Sequence, residues 1–206
     1  MKKSYSTSFA FVFVMGFACA WYLGNPSLLP LQQVHAQTSQ QTVEQQFAQM
    51  SADFDRILSR GENVGVVGNT NVAVFSQRSG KWITARLAGG FRIVESDGNF
   101  CALGNASAAV WSEKSQKWTY QNLGGARDVV SSQGNFCVIG SGSAAVWDDS
   151  KQSWDQENLR GGRGLTVSQG NFCAMGESKV LAWSKKRKAW ISQAVPGAVQ
   201  MAGSGG

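Results

Sequence analysis

Gly98-Asn99-Phe100-Cys101, Gly134-Asn135-Phe136-Cys137 and Gly170-Asn171-Phe172-Cys173 are three copies of one tetrapeptide, spaced 36 residues apart. The same offset relates Gly104, Gly140 and Gly176, then Trp111, Trp147 and Trp183, then Trp118, Trp154 and Trp190. A more diverged copy precedes them, with Gly68, Phe75 and Trp82 in register. Self-similarity at this period marks a chain assembled from supersecondary units that bury their apolar faces on one another.

Each unit reads as four short strands. In the third copy these are Asp128 to Ser132, Phe136 to Ile139, Ala144 to Trp147 and Trp154 to Asn158, separated by Gly, Ser, Asn and Asp turns. The composition agrees, since 24 Gly, 8 Trp and only 3 Pro among 206 residues suit β-structure with tight turns and a repeated aromatic role. Four antiparallel strands per repeat describe a propeller blade, so the expected fold is all-β, a small four-bladed β-propeller. Six polar residues, Asp148 to Ser153, separate Trp147 from Trp154. A hairpin with a four-residue tip then sets the two indoles opposite one another. Such pairs contribute roughly 0.5–1.5 kcal/mol beyond their burial. They read as the platform on which one blade packs against the next rather than as sugar-stacking surfaces.

The aromatic-to-Trp segments Phe75 to Trp82, Trp111 to Trp118, Trp147 to Trp154 and Trp183 to Trp190 resemble the hairpin of kelch repeats. The strand Phe136 to Gly140 is similar to the kelch strand that ends in a Gly pair. Here Asn105, Ser141 or Glu177 replaces the second Gly, and the repeat is shorter than the usual kelch length. The resemblance covers residues 62 to 197; it implies a propeller fold and carries over no catalytic residue.

Residues 1–36 read as a signal peptide: Lys2 and Lys3 precede an apolar run from Phe9 to Leu23, and Val34-His35-Ala36 suits cleavage. The run is shorter than the ~20 residues that span a bilayer, and an uncleaved anchor is the alternative. Residues 37–61 form the next segment, in which Val43, Phe47, Met50, Phe54, Ile57 and Leu58 fall on one face of an amphipathic helix. The propeller then occupies 62–206, with repeats at about 62–90, 91–126, 127–162 and 163–197 and a closing strand at 198–206. The first copy lacks a first strand of its own, and Ala198 to Gly206 aligns with the opening strand at Ala126 to Gly134. Val199 to Ser204 is therefore expected to pair with Val64 to Val67 and shut the ring, which would remove an unprotected edge.

Composition excludes more chemistry than it supplies. The single histidine, His35, lies in the expected leader, so the remainder lacks a His for a Ser-His-acid triad, a metal ligand or a general base. Asp148-Asp149 occupies one hairpin tip without counterparts and reads as a solvated turn. Cys101, Cys137 and Cys173 sit at one equivalent position and read as buried free thiols; adjacent blades about 10 Å apart put them beyond disulfide reach. No metal or cofactor is expected. The net charge of +6, less Lys2 and Lys3, leaves +4, far short of a nucleic-acid-binding stripe. The run Lys185 to Lys188 falls in a hairpin turn.

The remaining candidates are the loops Gly89-Gly90-Phe91-Arg92, Gly124-Gly125-Ala126-Arg127 and Gly161-Gly162-Arg163, which lead into innermost strands. Arg92, Arg127 and Arg163 are thus expected near one mouth of the central channel, where Arg forks and exposed glycine amides would suit an anion. The competing reading is that they solvate turns or form local ion pairs. The expected function is a non-catalytic, exported binding or scaffolding propeller, periplasmic or extracellular, recognising a carbohydrate or an anionic ligand. The alternatives are an envelope structural or protein-interaction subunit, and a carbohydrate-active enzyme using carboxylates, Arg or Tyr120 at the channel mouth. Nucleic acid is not an expected partner, and a membrane is one only if the N-terminal segment is uncleaved.

Overall fold

The repeated tetrapeptide closes a tight turn and opens a strand. Asp97-Gly98, Gln133-Gly134 and Gln169-Gly170 each place two consecutive residues at positive φ, between 49° and 79°. That is the mirror-image two-residue turn whose twist matches a β-hairpin, and glycine takes its second position without a Cβ clash. The asparagine that follows pins the next hairpin: Asn63, Asn99, Asn135 and Asn171 each accept, through Oδ1, the backbone N–H fourteen residues on, at 2.9–3.0 Å. The phenylalanine and cysteine then point to opposite faces of the sheet.

The computed structural model describes Gly61 to Gly203, together with Gln45, Ala48, Gln49 and Ala52, which are helical and exposed. The expected leader, the apolar face of the expected helix and Ser204 to Gly206 lie outside the described residues. The described chain is all-β, in four antiparallel sheets. The first is β1 (Val64–Val67), β2 (Asn71–Ser76) and β3 (Lys81–Arg86). The second is β4 (Arg92–Ser96), β5 (Asn99–Leu103), β6 (Ser107–Ser112) and β7 (Lys117–Asn122). The third is β8 (Ala126–Ser132), β9 (Asn135–Gly140), β10 (Ser143–Asp148) and β11 (Ser153–Asn158). The fourth is β12 (Gly164–Ser168), β13 (Asn171–Met175), β14 (Lys179–Ser184) and β15 (Ala189–Ala194). Each sheet is a meander of consecutive strands, consistent with four propeller blades.

The aromatic hairpins fall in the expected register. Phe75 lies opposite Trp82, Trp111 opposite Trp118, Trp147 opposite Trp154 and Trp183 opposite Trp190. The first three pairs have ring centroids 5.6–5.9 Å apart. In the second to fourth sheets the rings face the preceding sheet. Phe100 and Trp111 are buried against Val74, Phe136 and Trp147 against Cys101 and Val110, and Phe172 and Trp183 against Cys137 and Val146. In these three sheets the outer indole also hydrogen-bonds across the junction: Trp118 Nε1 to the Ile83 carbonyl at 3.1 Å, Trp154 Nε1 to that of Thr119 at 3.5 Å, and Trp190 Nε1 to that of Asp155 at 3.2 Å. Stability therefore resides in three sheet-to-sheet junctions, each repeating the same contacts.

The expected closure does not form. β1 pairs only with β2, and among the described residues no strand joins the first sheet to the fourth. Val199 is 89% exposed and Ala198 to Gly203 is not a strand. The tail instead runs beside β12: a side chain at Gly203 would meet the Val167 carbonyl at 3.2 Å, and Met201 lies against Gly164. The reason is geometric. β8 lies beside β4, and β12 beside β8. After β15 the chain turns at Gly197 and takes the same course, alongside the last axis-side strand and away from β1.

Candidate functional site

β4, β8 and β12 are the opening strands of their sheets and neighbour one another, so their N-terminal ends share one rim. Arg92 begins β4, Arg127 is the second residue of β8 and Arg163 immediately precedes β12; all three are exposed. Two of them reach to the following sheet. Arg92 Nη1 pairs with Asp128 Oδ1, and Arg127 Nη1 donates to the Gly162 carbonyl at 2.8 Å. The Arg163 side chain makes no hydrogen bond or ion pair among the described residues. Both partners of the Arg92–Asp128 pair are more than a third exposed, and such a pair contributes at most about 1 kcal/mol. The rim thus presents three guanidinium groups, of which Arg92 and Arg127 are tied to the following sheet and Arg163 is not.

The glycine amides expected to assist them are largely committed. Gly89 N–H donates to the Asn69 carbonyl at 2.6 Å, Gly161 N–H to that of Ser141 at 2.8 Å, and Gly124 N–H to Asn122 Oδ1 at 3.1 Å. These loops need glycine for conformation rather than for anion binding: Gly89, Gly124 and Gly161 have φ near +60°. Tyr120 is on β7, the outermost strand of its sheet, and so is separated from the axis-side strand β4 by β5 and β6.

Cys101 and Cys137 are fully buried free thiols and Cys173 is half-buried. Burial pushes all three thiols above their ordinary value of 9.0; for Cys137, the neighbouring Cys173, Cys101 and Asp128 add to the rise. They are accordingly kept protonated and poor nucleophiles. Among the described residues, no three His, Cys, Asp or Glu side chains cluster as metal ligands.

The sequence did not single out a cleft of about 420 Å³ between the third and fourth sheets, lined by Trp154, Asp155, Glu157, Lys188 and Trp190. Asp148 sits at its base. Burial raises the Asp148 carboxyl, but the Ser150 hydroxyl and the Lys188 ammonium outweigh this and hold it below its ordinary value. Lys188 Nζ lies 2.9 Å from Asp148 Oδ1 and 5.4 Å from the Trp183 ring centroid. Both indole N–H groups are consumed inside the protein, Trp190 by the Asp155 carbonyl and Trp154 by that of Thr119. Asp148 and Lys188 lie 40 residues apart at non-equivalent places of successive hairpins, so their pairing becomes legible only once the sheets are docked.

No protein-family model and no curated protein matches the chain. Among solved structures it is similar to apo AztD from Citrobacter koseri at 20% identity and TM-score 0.41, covering 69% of this chain and 48% of that one. It is also similar to the N-terminal domain of Nup159 at 7% identity and TM-score 0.41, covering 68% and 43%. A third is Kluyveromyces lactis Hsv2p at 9% identity and TM-score 0.40, covering 64% and 46%. The chain spans about half the length of these structures.

Proposed function

We propose that this chain is a non-catalytic binding or scaffolding protein, exported from the cytoplasm, whose kelch-like blades present an anion-recognising rim at the ends of β4, β8 and β12. The favoured ligand class is a carbohydrate carrying carboxylate or sulfate groups, or another anionic polymer. The observation that carries this reading is the alignment of Arg92, Arg127 and Arg163 at equivalent starts of three neighbouring strands, with Arg163 uncommitted. Repeated weak sites of one kind on a rigid scaffold gain affinity for a polymer through multivalency. The competing reading of these arginines as local ties has support of its own in the Arg92–Asp128 and Arg127–Gly162 bonds. Arg163 therefore becomes the residue that separates the two.

The test is a thermal-shift screen against neutral and anionic oligosaccharides, inorganic anions and divalent metals. A concentration-dependent rise for anionic glycans, lost in Arg163→Ala and in the triple Arg92, Arg127 and Arg163→Ala variant, supports the proposal. A shift that survives the triple variant places recognition elsewhere. The absence of a shift with every ligand turns the reading toward an envelope subunit whose partner is a protein. An enzymatic reading through Tyr120 has no support from its place on an outermost strand.

A further inference from the structure

The three internal junctions are built from equivalent positions, and the two ends of the array retain those positions with no neighbouring sheet among the described residues. On the downstream face, Val74, Val110 and Val146 are sealed from solvent, while their counterpart Ala182 is exposed. Leu87, Leu123 and Leu159 are likewise buried, and their counterpart Val195 is 36% exposed. On the upstream face, Ala102, Val138 and Ala174 are fully buried, but the counterpart Val66 is 51% exposed and Trp82, counterpart of Trp118, is 45% exposed. Repeat arrays that end in solvent carry polar outer faces on their terminal units. Here both terminal faces are apolar. Val66, Trp82, Ile191, Val195 and Val199 are five of the seven large apolar side chains exposed among the described residues.

The two ends are also complementary in strands. The second to fourth sheets each begin with an axis-side strand, and the first sheet has three strands among the described residues. Beside β12, the tail through Met201 and Gly203 already follows the course of the next such strand. Side-chain chemistry agrees. At the third junction Trp183 Nε1 donates to Asp155 Oδ2 at 3.2 Å. In the fourth sheet Ile191 stands at the place of Asp155, and in the first sheet Phe75, without an N–H, stands at the place of Trp183. Those two apolar side chains suit one another.

We infer that the occupant of both faces is a second copy of this chain. The downstream face of the fourth sheet of one copy receives the upstream face of the partner's first sheet, and the tail adds a strand beside the three described there. A twofold axis repeats the junction and closes eight blades into one ring, within the four to eight typical of propellers. The partner's Val64 and the partner's Phe75, at the places of Phe136 and Trp147, then cover Ala182 and Cys173, as Phe136 and Trp147 cover Val110 and Cys101 at the second junction.

The test is sedimentation velocity of the purified full chain with the single variants Ile191→Glu and Val66→Glu. Both substitutions fall on exposed positions, and near-UV circular dichroism checks that the fold is kept. The wild type is expected at twice the monomer mass at about 10 µM, as for a dissociation constant of roughly 1 µM or tighter. Each variant is expected to sediment as a monomer. An equimolar mixture of the two regains dimer at higher concentration, because one junction of the mixed pair is unmutated. A wild type that stays monomeric at about 100 µM overturns the inference, as does a dimer that survives both substitutions. Loss of dimer in only one variant also overturns it, since that result requires like faces to meet like.

Discussion

Replacing Trp147 with alanine attacks the central junction where it is best packed. The indole is fully buried, lies opposite Trp154 with centroids 5.8 Å apart, and packs among Cys101, Leu103, Val110 and Phe136 at the boundary of the second and third sheets. Truncation of a buried Trp costs about 3–5 kcal/mol through lost transfer energy and the cavity left behind. For a domain of this size that lowers Tm by roughly 6–20 °C. A second substitution sharpens the argument, because Trp147 Nε1 is buried without a hydrogen-bond partner. Trp147→Phe removes that donor, and relief of about 1–3 kcal/mol of desolvation offsets much of the lost volume. Its net cost is therefore expected to stay below about 1.5 kcal/mol. Equilibrium urea denaturation followed by tryptophan fluorescence measures both. The reasoning fails if Trp147→Ala lies within about 1 kcal/mol of wild type, or if Phe is as damaging as Ala.

Two further predictions concern charge and pH. Lys188→Met leaves the Asp148 carboxylate, whose side chain is 2% exposed, without its counter-ion. The expected loss is about 1–3 kcal/mol, less than for a wholly buried pair because Lys188 is partly solvated. The lowered Asp148 pKa stabilises the fold above its ordinary 3.8, and this is lost as pH falls through the folded value. The acid-induced fall in Tm should accordingly be smaller in Lys188→Met than in wild type; an unchanged acid limb would refute the assignment. For the cysteines the sign is opposite. Their thiols are harder to ionise folded than unfolded, so stability is level below pH 9.0 and declines as pH rises above it. In the Ile191→Glu variant, where no partner covers Cys173, iodoacetamide should modify Cys173 before Cys101 or Cys137, and mass spectrometry of labelled peptides showing Cys101 first would contradict this burial order.

The features legible in the sequence were those fixed by local chemistry. The turn at Gly134, the hydrogen bond accepted by Asn135 and the meeting of Trp147 with Trp154 all depend on residues within about one hairpin, and each expected strand of the third copy lies inside the observed one. Closure was not legible in this way. Ala198 to Gly203 has the pattern of an opening strand, but which edge it joins depends on the angle accumulated over three junctions, and no short segment encodes that angle. The rim shows the same division. The positions of Arg92, Arg127 and Arg163 at strand starts follow from spacing, whereas the engagement of Arg92 by Asp128 and the commitment of the glycine amides arise only when neighbouring sheets dock. Asp155 is likewise an ordinary strand residue in sequence and becomes an acceptor for Trp183 through packing.

The central claim is that each sheet is stabilised by the face of the next, so that protection should be deepest in the two sheets flanked on both sides within one chain. Hydrogen–deuterium exchange resolved to peptides tests it most directly. Amides of β5, β6, β9 and β10, whose residues are nearly all buried, should exchange on the order of 100-fold more slowly than those of the outermost strand β15, which is mostly exposed. Exchange in β9 and β10 as fast as in β15 would mean that the junctions do not hold the fold together, and would contradict the account.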